Sequence, residues 1–145
     1  MSNKKISQLT ATTDLVNADE FVVVDGGTTK KITFQNLQKQ VLGYTSYAAR
    51  LSATGTNNPT VNLISNNTGL TISWERSGDG EYEATITGTL QQDKAWFTAS
   101  SGGGSTVQNI SWGSETSVLL NNFNITNGQQ VDGLNEVYVE IRNYN

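Results

Sequence analysis

The chain has 145 residues, no cysteine, no histidine and a net charge of −4. That excludes disulfides, thiolate nucleophiles, His-ligated metals and His general bases. Charged residues make up only 15% of the chain, and three Trp, five Tyr and four Phe argue against disorder.

Uncharged polar residues fill the gap, with 19 Thr, 16 Asn, 13 Ser and 14 Gly. Thr favours strands, and Asn and Gly favour tight turns, so the composition predicts a mainly β protein. Charge is uneven along the chain. Residues 1–43 carry five Lys against four acids, whereas residues 44–145 carry four basic residues against nine acids. An acidic larger part is the wrong sign for a phosphate backbone, so no nucleic-acid partner is expected. The N-terminus shows no apolar signal-peptide run, and nothing approaches the ~18 consecutive apolar residues of a membrane span. The expectation is a protein made in the cytoplasm with no membrane insertion.

In chain order, Phe21 to Val24 is a β-branched run stopped by Asp25-Gly26-Gly27. Lys30 to Thr33 follows, and glycine supplies positive φ cheaply, so a hairpin is predicted. Thr33 can cap a helix over Phe34 to Val41, with Gly43 as its stop. Phe34, Leu37 and Val41 lie at i, i+3 and i+7 and form one apolar stripe. After Gly43 short strands follow one another. They are Tyr44–Thr54, Val61–Ile64, Leu70–Trp74, Tyr82–Thr87, Ala95–Thr98, Val107–Trp112, Ser117–Leu120, Phe123–Ile125 and Val137–Ile141. Asn57-Asn58-Pro59, Asn66-Asn67 and Ser77-Gly78-Asp79-Gly80 are the turn signals between the first of them. This rhythm predicts an antiparallel β-sandwich or jelly-roll-like domain over 44–145, behind a hairpin-plus-helix module over 1–43.

The leading stretch carries a resemblance. Lys5-Ile6-Ser7-Gln8-Leu9, then Phe21 to Val24, then Gly26-Gly27-Thr28-Thr29-Lys30-Lys31-Ile32-Thr33 and Leu37 match a module K-I-S-x-L, strand, G-G-x-T-K-K-[IV]-T, helix. In this the chain resembles tailed-bacteriophage virion proteins of the head-fibre, capsid-decoration or short tail-fibre type. The likeness covers about the first 41 residues. It implies a virion structural protein, made in the host bacterial cytoplasm and anchored through its N-terminal module. It also implies a homo-oligomer, trimeric by preference, in contact with capsid or tail components. Too few apolar residues sit in this module to bury a core alone, so Ile6, Leu9, Phe21, Val23, Leu37 and Val41 are the candidate oligomer or attachment contacts.

No catalytic signature is visible, and no enzyme activity, cofactor or metal is expected. A glycosidase needs two carboxylates about 5–10 Å apart across one sugar. Glu75, Asp79, Glu81 and Glu83 are the candidates, and a solvated sheet face explains them better. Ser77-Gly78-Asp79-Gly80-Glu81 lacks the spaced oxygen ligands of a calcium loop. Gly102-Gly103-Gly104 lacks the Lys-Ser/Thr of a phosphate-binding loop and reads as a surface loop. Trp74, Trp96 and Trp112 are the candidates for stacking on a host-surface glycan; their alternating strand positions favour a core or subunit-interface role. Glycan binding is thus the alternative function.

Overall fold

The structure, a computed structural model, describes residues 15–16, 18–101 and 103–144. The Lys5–Leu9 motif, with its candidates Ile6 and Leu9, lies outside the described residues. The chain divides into two compact units between Val41 and Leu42.

In the first unit, β1 (Glu20–Asp25) and β2 (Thr28–Thr33) pair antiparallel. Gly26 and Gly27 connect them at φ 57° and 79°, the doubly left-handed turn that matches strand twist. Helix α1 (Phe34–Leu42) follows at once, and the Asn36 N–H donates to Thr33 Oγ1 at 3.3 Å as a helix cap. Alternation puts Phe21, Val23 and Ile32 on one face of the hairpin, with the Phe21 ring 6.1 Å from that of Phe34. The other face shows Val22 and Val24, 70% and 74% exposed. None of the described side chains of this unit is buried.

The second unit holds β3 (Tyr44–Ala53), β4 (Thr60–Asn66), β5 (Thr71–Gly78), β6 (Glu81–Thr87), β7 (Ala95–Ser100), β8 (Thr106–Ser114), β9 (Ser117–Asn124) and β10 (Leu134–Tyr144). They form two four-stranded antiparallel sheets, ordered β4-β3-β10-β7 and β5-β6-β9-β8. The hairpins β3–β4, β5–β6 and β8–β9 stay within a sheet, and the other connections pass between sheets. This is the antiparallel β-sandwich expected of the alternating pattern.

Period-two alternation fills the space between the sheets. Tyr47, Ala49 and Leu51 of β3 and Val137, Val139 and Ile141 of β10 meet Trp74, Tyr82, Ala84, Ile86, Val118 and Leu120 of the opposite sheet. The Tyr47 hydroxyl and the Trp74 indole N–H end in this core near one another, outside good hydrogen-bond geometry and with no other partner among the described residues. Burial pushes the Tyr47 pKa up, and the nearby Trp74 indole opposes that rise.

One expectation differs. Ser117–Leu120 and Phe123–Ile125 were separate strands in the sequence pattern, but β9 runs unbroken through Asn121 and Asn122. Asn122 reads as a turn residue, yet its side chain is fully buried and performs a tertiary task. Its Nδ2 donates to the carbonyls of Val131 and Gly133 at 2.8 and 2.7 Å, and its Oδ1 accepts from Gln108 Nε2 at 2.7 Å. This fixes the β9–β10 crossing against the sandwich. Beside it, Asp132 accepts from Arg76 Nε and Nη2 at 2.8 and 2.9 Å and from the Gly80 N–H at 3.0 Å. The Arg76 guanidinium and the Gly80 N–H hold the Asp132 carboxyl below its ordinary pKa.

Candidate functional site

The outer face of the β4-β3-β10-β7 sheet carries a set of charged, aromatic and hydroxyl-bearing side chains. Its geometry follows from register. Even-numbered residues of β3, β7 and, beyond its bulge, β10 from Tyr138 onward point away from the core, because their odd-numbered neighbours fill it. Pairing then sets them in rows: Arg50, Tyr138 and Ser100; Ala48, Glu140 and Thr98; Ser46, Arg142 and Trp96. Tyr44 and Tyr144 form the next row, their rings 5.3 Å apart.

At one end of this face the Arg142 guanidinium lies between two rings. It is 4.8 Å from the centre of Tyr44 and 4.7 Å from that of Trp96. Two residues back along β10, the same group reaches Glu140, with Nε and Nη2 donating to the carboxylate at 2.8 and 3.2 Å. The Glu140 carboxylate, and after it Tyr144, raises the Arg142 pKa further above its already high ordinary value. Tyr138 is pushed up by burial, and the Glu140 charge adds to the effect.

At the other end lies a shallow groove of about 420 Å³, lined by Arg50, Ile64, Ser100, Ser101, Glu136 and Tyr138. Arg50 and Glu136 face each other across it at 3.8 Å, with 55% and 66% of their side chains exposed. Glu136 stands at φ 48°, the one described non-glycine residue with positive φ. It sits in the bulge where the β10–β3 register slips between Leu134 and Val137. Glycine is the usual occupant of such a bulge position, so a glutamate there carries backbone strain.

No family model, curated protein or solved structure matches this chain.

The candidates read from the sequence separate clearly. Trp96 is 44% exposed and belongs to the outer face described above. Trp74 is 4% exposed, and no sugar could stack on it. Trp112 is half-buried, packed on the core with its ring 6.3 Å from Phe97. Of the hairpin and helix candidates, Phe21, Val23 and Leu37 are half-buried within their own unit, while Val41 is 74% exposed. Glu75 and Glu83 stand directly opposite each other on β5 and β6, and Asp79 is paired with Arg76 at 2.6 Å. Glu81 accepts from Gln130 Nε2 at 3.1 Å. Among the described residues, no three acids come together as a metal site.

Sequence reasoning missed Arg50, Glu136, Tyr138, Glu140, Arg142, Tyr44 and Tyr144. The alternation of Tyr138, Glu140, Arg142 and Tyr144 with Val137, Val139 and Ile141 did carry the signal for one strand. Which strands flank β10 is a long-range fact that period-two patterning does not contain.

Proposed function

We propose that the protein is a bacteriophage virion structural protein, a short head fibre or capsid decoration. Its N-terminal module holds it to the particle and to copies of itself, and the sandwich is the displayed part. It acts by assembly, without substrate turnover. The observation that carries this reading is the state of the first unit. It has a hairpin and a helix but no buried side chain among the described residues, and it leaves Val22, Val24 and Val41 each at least 70% exposed. A hairpin of two strands with one short helix cannot stabilise itself without further contacts. A partner surface that covers these valines supplies the missing burial, and three copies around one axis would do so symmetrically.

Light scattering on the full chain tests this. The expected mass is three times the 15.7 kDa of one chain. Val22→Lys with Val24→Lys is expected to lower it toward one chain while the sandwich stays folded. A single copy whose N-terminal amides are nonetheless protected from hydrogen exchange would overturn the reading.

A second reading, carbohydrate binding by the sandwich, is favoured by one observation. Trp96 is exposed on a sheet face beside charged and hydroxyl-bearing partners rather than buried like Trp74.

A further inference from the structure

The groove at Arg50 and Glu136 and the Trp96 end belong to one continuous surface. Four residues of β10 separate the Tyr138 row from the Arg142 row, about 13 Å at 3.3 Å per residue. Its electrostatics are unusual for this chain. Residues 44–145 carry nine acids against four basic residues, yet on this face every charge has an opposite partner. Arg50 faces Glu136, and Arg142 is bound by Glu140. The surface is therefore rich in donors and acceptors and close to neutral.

Such a face disfavours a charged ligand. An anion would meet Glu136 and Glu140, and a cation would meet Arg50 and Arg142. What it suits is an uncharged molecule with many hydroxyls and apolar C–H faces. The Arg50 guanidinium can donate to hydroxyl oxygens and the Glu136 carboxylate can accept from hydroxyl hydrogens. Ser100 and Ser101 add hydroxyls, and the Tyr138 ring and Ile64 give an apolar floor. The loose 3.8 Å contact leaves both charged groups free to turn toward a ligand. The strained backbone of the bulge sets the Glu136 side chain at the edge of the groove, and strain of this kind collects where function requires it.

We infer that this groove is the binding site for an uncharged oligosaccharide, which lies along β10 from Glu136 toward Trp96. The inference rests on the second reading above and assigns it a place and a ligand class.

The test is a glycan array that carries neutral oligosaccharides (gluco-, manno- and galacto-oligosaccharides and N-acetylated chito-oligosaccharides) beside sialylated and sulfated ones. The full chain is compared with Arg50→Ala, Glu136→Gln, Tyr138→Ala and Trp96→Ala, each checked for an unchanged urea midpoint. Arg50 and Glu136 are largely exposed, so those two variants keep the fold even if Tyr138→Ala does not. The expected result is retention on at least one neutral oligosaccharide and at least a tenfold loss with Arg50→Ala and Glu136→Gln. A silent array overturns both this inference and carbohydrate binding by the sandwich. Retention confined to acidic glycans overturns the ligand class. Retention that falls with Trp96→Ala but survives both Arg50→Ala and Glu136→Gln overturns the groove and leaves the broader reading standing.

Discussion

Asn122→Ala is the most informative perturbation of the sandwich. The wild-type side chain makes three hydrogen bonds at 2.7–2.8 Å from a fully buried position. Each such bond contributes a net ~1 kcal/mol, and a half-buried carbonyl left without a partner adds desolvation cost. Alanine removes all three bonds and strands the Val131 and Gly133 carbonyls, so the expected loss is about 3–4 kcal/mol. Against a total stability of roughly 5–15 kcal/mol, that is a large fraction. Asn122→Asp probes the same site through charge. It keeps the shape but turns two donors toward two carbonyls into a carboxylate, whose pKa must rise in the folded state. An acid with a raised folded pKa destabilises above its unfolded pKa and recovers as pH falls, so this variant is expected to regain stability toward about pH 4. Urea unfolding followed by the fluorescence of Trp74 in the core reads both variants. An Asn122→Ala loss below about 1 kcal/mol would refute the claim that this side chain fixes the β9–β10 crossing.

Four further outcomes are expected. Tyr47→Phe removes a buried hydroxyl whose sole polar neighbour among the described residues, the Trp74 indole, is poorly aligned with it, so urea unfolding should show a change within about 0.5 kcal/mol of zero or a small gain. Gly80→Ala should cost more than about 2 kcal/mol, because φ is 66° and the new Cβ would lie 2.6 Å from the Val131 nitrogen and 2.8 Å from the Asn122 oxygen. Asp132 has a folded pKa below its unfolded value near 3.8, so its contribution is complete above that pH and lost as pH falls through the folded pKa. Urea midpoints below pH 4 should therefore fall more steeply for the wild type than for Asp132→Asn. Glu136→Gly should stabilise by up to about 1 kcal/mol in the same assay, since glycine adopts φ 48° without a Cβ penalty.

Much of the architecture was legible in the residues, and the limits have physical causes. The Gly26-Gly27 turn, the Thr33 cap and the Gly43 stop are local chemistry, and each forms as the pattern implied. The alternation of Tyr47, Ala49 and Leu51, and of Tyr82, Ala84 and Ile86, gave the inward faces directly. Asn122 misled because asparagine is common in turns, and its use as a buried clamp depends on a connection nine to eleven residues away. The three tryptophans looked equivalent, each in a short alternating strand. Only the order of the sheets separates Trp96, on an outer face, from Trp74, which the opposite sheet covers. Arg142 was invisible for the same reason: Tyr44 and Trp96 lie far from it in sequence on either side of β10.

The pairing of β3 with β10 has a mechanical meaning. Tyr44 and Tyr144 are partners, so the chain enters and leaves the sandwich at one end, like the two leads of a plug. Arg50 lies six residues up β3, about 20 Å from that end at 3.3 Å per residue. A load applied at the groove and resisted at Tyr44 would run along the strands and strain many backbone hydrogen bonds at once. Pulling on the two termini would instead peel β3 from β10 one pair at a time. The domain should be tough when tugged by what it holds and weak when tugged by its own ends.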